Sequence, residues 1–286
     1  MSLITTDKVE IPDAILENDV IGHGISSRVL RLDAVAKCYL SKESHLRERE
    51  IAVYERLTAL DAELHDAILP FYGVLDGRSV LLKFAPNGSI RQYYARDNYC
   101  HTSLYTRLRW AEQITSAVIF LHSKAVVHGD LSCNNVFLDE GLNAKLGDFS
   151  GSSIDGLPFL TVYETSHSLP DDYTVSLRRE IFALGSTLYE IMTGRRPFDG
   201  MGDCEIEDSF RRGRFPAVER VPALGTVISN CWNGKYGIVE DVLQDIKQEY
   251  IGIIPKKRSL SVQDPNLILA LLITVLPVVW LVRYRK

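Results

Sequence analysis

What the chain lacks narrows its chemistry before any motif is considered. Its five cysteines (Cys38, Cys100, Cys133, Cys204 and Cys231) are odd in number, scattered and never spaced Cys-x-x-Cys. That argues against a disulfide framework and a structural zinc site, and for a reducing compartment. No apolar stretch lies near the N-terminus, where Asp7, Glu10 and Asp13 stand instead, which argues against a signal peptide. Internal repeats and low-complexity stretches are missing too. Nor is there a basic excess. The net charge is −5, and residues 251–286 hold six basic residues against one acid, which leaves −10 for residues 1–250. A domain that acidic is a poor nucleic-acid binder on electrostatic grounds, so no nucleic-acid partner is expected.

What is present is an ordinary globular composition, 46% hydrophobic and 24% charged over 286 residues, enough for a sizeable core. Residues 1–100 read as short strands with one helix. A Gly-containing hairpin opens at Ile21, Val35-Ala36-Lys37 is a compact strand, and Val80-Leu81-Leu82 is another that ends at a Pro86-Asn87-Gly88 turn. Between them the spacing predicts a helix over Ser44–Leu60 with Ile51, Tyr54 and Leu57 on one face. Residues 104–250 turn largely helical, with helical spacing at Leu104, Leu108, Ala111, Ile114, Val118 and Leu121, and again at Val239, Val242, Leu243 and Ile246. The expected fold is α+β, a small β-rich lobe followed by a larger α-helical one.

From Leu267 to Val282 every residue is apolar except Thr274, with Lys256-Lys257-Arg258 before the run and Arg283-Tyr284-Arg285-Lys286 after it. Sixteen residues of helix span about 24 Å, short of the roughly 30 Å of a hydrocarbon core. Snorkelling of Arg283 and interfacial placement of Trp280 and Tyr284 would offset part of that mismatch. The alternative is a buried C-terminal helix. Such a helix normally keeps a polar face, and this run has none. The expectation is a transmembrane tail anchor over residues 267–283, joined by a basic linker (251–266) to a domain over 15–250. Basic flanks on both sides leave its orientation open.

The chemistry concentrates in His128-Gly129-Asp130-Leu131-Ser132-Cys133-Asn134-Asn135 and Gly147-Asp148-Phe149. A carboxylate, an amide five residues on and a second carboxylate thirteen residues later are what a phosphoryl-transfer site uses to hold a metal–nucleotide and orient a hydroxyl. Upstream lie Gly22-His23-Gly24-Ile25-Ser26-Ser27-Arg28-Val29 and, eight residues past Val29, Lys37. Downstream come Ser168-Leu169-Pro170-Asp171, the Phe182–Gly194 stretch with Pro197-Phe198, and Cys231-Trp232. Together these motifs resemble a eukaryotic-type protein kinase domain, with the landmarks in order over roughly residues 15–250.

The resemblance implies a bilobal kinase-like fold, Mg-ATP as the phosphoryl donor and a protein substrate. It assigns Asp130 to the substrate hydroxyl, Asn135 and Asp148 to magnesium, and Lys37 to the α- and β-phosphates. Lys37 needs an ion-pair partner on the following helix. Glu50 fits better than its rival Glu48, because only Glu50 keeps apolar residues at +3 (Val53) and +7 (Leu57). By the same resemblance Ile21, Gly22, His23 and Gly24 form the loop over the phosphates. Val29 and Ala36 cover the adenine from above and Phe137 from below, and a hinge through Lys83-Phe84-Ala85 reads its edge.

Several positions depart from the family pattern. Gly129 replaces the arginine that grips a phosphorylated activation loop, which argues against control by loop phosphorylation. Ser132 stands where serine/threonine kinases carry a lysine and Asn134 where many tyrosine kinases carry an arginine, so the loop has no cation. Ser150 replaces the glycine of Asp-Phe-Gly. Glu180 and Asp171 exchange carboxylate lengths, and the arginine that pairs with the latter has no counterpart near Lys235-Tyr236. An active, membrane-anchored kinase with its catalytic domain in the cytosol, serine or threonine ahead of tyrosine as acceptor, is the first reading. A nucleotide-binding pseudokinase scaffold is the second and an aminoglycoside-type small-molecule phosphotransferase the third.

Overall fold

The computed structural model describes residues 20–23, 28–30, 33–59 and 64–253. Gly24 and the whole Leu267–Val282 run lie outside these residues. The chain divides into two compact units, Met1–Tyr250 and Ile251–Lys286, and only residues 251–253 of the second are described.

The N-terminal lobe is the strand-rich one. β1 (Val20–His23) and β2 (Arg28–Leu30) form an antiparallel hairpin with Gly22 opposite Val29. β3 (Ala34–Cys38), β5 (Ser79–Lys83) and β4 (Phe71–Leu75) make a three-stranded antiparallel sheet in that spatial order. α1 covers Ser44–Leu57, and Thr58 ends it by donating its backbone N–H to Tyr54. The helix is therefore shorter than the Ser44–Leu60 reading, and Leu60 lies outside the described residues. Its buried face is Glu50, Val53, Tyr54 and Leu57, the 3.6-residue stripe expected of a helix against a core.

Residues 83–89 lead into the helical lobe. Gly88 takes φ +67° in the turn after Pro86, and Ser89 caps α2 (Ile90–Tyr93) in a reciprocal capping box with Gln92. The core of this lobe is α3 (Leu104–Ser123) against α4 (Leu177–Thr193). Ser103 caps α3, and Leu108, Trp110, Ala111, Ile114, Val118 and Leu121 line its buried face. Most of α4 is buried, including the polar side chains of Glu180, Thr187 and Glu190, which are bonded inside the lobe. Gly194 ends α4 in the left-handed conformation at φ +75°. α4 also lies against α6 (Gly225–Trp232), where a Cβ on Gly185 would come 2.5 Å from Cys231 Cβ. α5 (Asp203–Arg211) and α7 (Val239–Ile253) complete the lobe.

Two small antiparallel sheets interrupt the helices: β6 (Val126–Val127) with β9 (Ser153–Ile154), and the hairpin of β7 (Val136–Leu138) with β8 (Ala144–Leu146). Strands of two or three residues are too short for alternation to register in a sequence. They carry the two motif segments. His128–Asn135 runs between β6 and β7, and Gly147–Ser152 between β8 and β9. Among the described residues, no helix is long and apolar enough to cross a membrane.

Candidate active site

Lys37 stands on β3 opposite Val80 of β5, and its ammonium bridges two carboxylates, Glu50 at 3.1 Å and Asp148 at 2.7 Å. Glu50 is fully buried on α1, whereas Glu48 is two-thirds exposed and pairs with Arg47 at 3.8 Å. Of the two, it is Glu50 that meets Lys37. A residue that the sequence reading missed completes the pair: the hydroxyl of Tyr39 donates to the second oxygen of Glu50, and Lys37 lies 5.2 Å from the Tyr39 ring centroid. A buried carboxylate is tolerable when both oxygens are bonded. Burial works against the Lys37 charge, but Glu50 and Asp148 outweigh it and raise its pKa above that of an ordinary lysine.

Asp148 sits at φ +60°. Burial alone would raise its carboxyl. The Lys37 charge, with hydrogen bonds from Lys37 and from the Ser150 hydroxyl at 2.7 Å, holds it below the usual carboxylate range.

Asp130 and Asn135 form the facing group. The Asn135 amide nitrogen donates to the Asp130 carbonyl at 2.7 Å and to its Oδ2 at 3.0 Å, which turns the amide oxygen the other way. Gly147 N donates to the Asn135 carbonyl at 3.0 Å and ties the two groups together. His128 is buried between the segments. It accepts from Asp130 N at Nδ1 (3.2 Å) while Nε2 meets the Gly147 carbonyl at 3.0 Å, a pattern met by the Nε2-protonated neutral ring. Phe149 packs edge-on against both His128 and Tyr54, with centroids 5.4 and 5.1 Å away, and so joins catalytic loop to α1. Asp130 Oδ1 is buried and has no hydrogen-bond partner among the described residues. Burial pushes the Asp130 carboxyl up to about 6, against the opposing pull of His128 and Asn135.

α4 carries the catalytic loop from below. Glu180 accepts from His128 N at 2.7 Å, from Gly129 N at 3.4 Å and from the Tyr163 hydroxyl. Thr187 donates to the Leu131 carbonyl at 3.3 Å. Ser132, where a lysine was missing, donates to Glu164 at 3.2 Å, and Arg91 holds Glu164 (2.6 Å) and both oxygens of Glu190 (2.7 and 2.8 Å). The arginine sought for Asp171 comes from elsewhere than the 235–236 region: Arg211 on α5 grips it at 2.8 and 3.0 Å. Arg178 instead caps the end of α6 through the carbonyls of Cys231 and Trp232.

The remaining sequence-predicted positions lie around this cluster. Ile21, Gly22 and His23 are on β1 and Val29 on β2, in register as a hairpin. Ala36 is exposed on β3 next to Lys37, Lys83 ends β5, and Ala85 lies half-buried in the crossing between lobes. Phe137 is half-buried on β7, against the position a Gly147 side chain would take. Its strand is bridged to Ser89.

The model of the protein kinase domain matches residues 17–258, and the chain belongs to the protein kinase family. Similar proteins include the L-type lectin-domain containing receptor kinase I.3 of Arabidopsis thaliana, 26% identical over 221 residues, 65% of this chain and 33% of that protein. The human serine/threonine-protein kinase A-Raf is 31% identical over 151 residues (49% and 24%), and the human tyrosine-protein kinase FRK 24% over 188 residues (60% and 37%). The matched region thus spans little more than a third of the length of these relatives, or less.

Proposed function

We propose that this chain is an active protein kinase that transfers the γ-phosphoryl group of Mg-ATP to a protein hydroxyl, serine or threonine ahead of tyrosine. The observation that carries the reading is the joined cluster of Lys37, Glu50 and Asp148 with Asp130 and Asn135. The donor set fits the cofactor. Asp148 and the Asn135 amide offer hard oxygen ligands, few enough for an ion that keeps water and phosphate oxygens in its shell, and Lys37 offers charge to the phosphates. Bound magnesium would neutralise charge on the phosphate oxygens. The chain's own part is positioning and proton handling. Asp130 Oδ1, which lacks a partner among the described residues, would take the hydrogen bond of an acceptor hydroxyl, and a carboxyl near 6 is ionised at neutral pH and basic enough to draw that proton. The preference for serine or threonine rests on the higher identity to A-Raf than to FRK.

The test is phosphoryl transfer by the purified full chain to itself or to a generic protein substrate, followed by phosphoamino-acid analysis. Asp130→Asn should abolish it. ATP binding without transfer would instead support the second reading, a nucleotide-binding scaffold, which the uncharged Ser132 and Asn134 of the catalytic loop favour. Transfer to a small alcohol with none to protein would support the phosphotransferase reading. We further propose that Leu267–Val282 anchors the protein in a membrane with the kinase domain in the cytosol, supported by the unbroken apolarity of that run and its basic flanks.

A further inference from the structure

Two side chains from one end of β3 converge on a single carboxylate of α1. Lys37 on the strand and Tyr39 just past its end lie two residues apart, so both leave the chain on the same side. Cys38 between them turns away to Ser79, with Sγ 3.2 Å from Oγ. The Lys37 ammonium donates to Oε1 of Glu50 at 3.1 Å, and the Tyr39 hydroxyl donates to Oε2. Among the described residues nothing else donates to Glu50. Tyr54, one turn further along α1, does not stand in, because its buried hydroxyl has no hydrogen-bond partner among the described residues.

The two donors differ in what else they serve. Lys37 is shared with Asp148 and stands closer to it, at 2.7 Å against 3.1 Å to Glu50. A magnesium–nucleotide competes for both members of that contact: its phosphates attract the ammonium and its metal attracts Asp148. The Tyr39 hydroxyl is neutral and is spent on Glu50. Glu50 is fully buried, where a carboxylate oxygen without a donor is costly.

We infer that Tyr39 is a positioning residue for the nucleotide phosphates: it holds the Glu50 carboxylate in place while Lys37 turns from Asp148 to the phosphates, so that Glu50 goes on directing the ammonium. This role deepens the kinase reading and depends on it for the phosphates themselves. Tyr39 acts through Glu50 and touches no reacting atom. Val53, Tyr54 and Leu57 pack the same face of α1 into the core, but apolar contacts do not set the direction of a carboxylate. Without the hydroxyl, Glu50 keeps one donor, and that donor is the group the phosphates draw away. The Tyr39 ring adds a second restraint, since its centroid lies 5.2 Å from the ammonium.

Tyr39→Phe in the full chain tests this, because it keeps the ring and removes the hydroxyl. Calorimetric titration gives the Kd of Mg-ADP, which carries the α- and β-phosphates, and of adenosine, which carries neither. Transfer to a generic protein substrate gives KM for Mg-ATP and kcat. Tyr39→Phe should raise the Kd of Mg-ADP and the KM of Mg-ATP by about tenfold, the value of one hydrogen bond to a charged group, and lower kcat by no more than about threefold. Its affinity for adenosine should stay that of the wild type. In a Glu50→Gln background, where no charge is left for the hydroxyl to hold, the same change should shift Mg-ADP by less than about twofold. Equal losses of adenosine and Mg-ADP affinity in Tyr39→Phe would mean a loosened pocket and would overturn the inference. So would an unchanged affinity for Mg-ADP, or the full loss repeated in the Glu50→Gln background. If the wild type binds Mg-ADP but no form transfers phosphate, the binding constants still decide the role of Tyr39, and it is the proposed activity that fails. A wild type that binds no nucleotide would overturn both.

Discussion

The hydroxyl of Ser150 and the ammonium of Lys37 donate to the same oxygen of Asp148, Oδ1, each at 2.7 Å. With two donors on one oxygen, Oδ2 is the face that this carboxylate presents to a cation. Ser150, at the position where the family has a glycine, thus helps to orient the carboxylate that we propose as a magnesium ligand. Ser150→Ala is expected to raise the magnesium concentration needed for half-maximal transfer by about tenfold, the value of one hydrogen bond to a charged group. Magnesium titrations of the initial rate check this, and Ser150→Thr should retain the wild-type value.

Asp130 is expected to govern the acid limb of the pH profile. Its carboxyl is raised to about 6 by burial, so the basic form is lost as pH falls through that value and kcat/KM should fall with it. The sign for stability is the reverse of a salt-bridged carboxylate. The folded state binds this proton more tightly than the unfolded chain, so above pH 6 the ionised group costs stability, and the cost disappears below about 4. Asp130→Asn should therefore be more stable than wild type by about 1–3 kcal/mol at pH 7 and equal to it near pH 4. Chemical denaturation at the two pH values measures the difference.

Gly185 marks the closest approach of α4 and α6. Its missing side chain lets Cys231 Cβ, the Ile228 carbonyl and the Trp232 ring come within contact, and the backbone on both sides prevents an easy shift. Gly185→Ala is expected to destabilise the fold by about 1–3 kcal/mol despite the higher helix propensity of alanine. A lowered thermal midpoint, with the ATP affinity of the folded fraction unchanged, is the expected result.

The tail is tested by fractionation. Full-length protein should stay in the pellet on carbonate extraction, and deletion of residues 267–286 should move it to the supernatant. Release of the full-length chain by carbonate alone would rule out an integral anchor.

That Lys37, Glu50, Asp130, Asn135 and Asp148 come together was legible because each is defined by short-range spacing. Asp130, Asn135 and Asp148 lie in two short motifs, and Glu50 could be told from Glu48 because helical periodicity orients a side chain three and seven residues ahead of apolar neighbours. Tyr39 was missed since nothing local distinguishes a tyrosine two residues after a lysine from any strand residue. Arg211 was missed as the partner of Asp171 because the pair joins α5 to a loop forty residues earlier. Phe159 shows the same limit from the other side. Gly129 was read as the loss of an arginine, and no local pattern signals that a ring thirty residues later fills the space it leaves.

Glu180, Thr187 and Glu190 stand seven and three residues apart on one buried helix and hold, respectively, the backbone of His128 and Gly129, the carbonyl of Leu131, and Arg91. Their heights along α4 are fixed by the helical rise, not by loops. A disturbance of this rod therefore moves the base, the residue after it and the neighbouring helix together. Errors in position are shared, and the distances among the reacting groups survive displacements that the absolute coordinates do not.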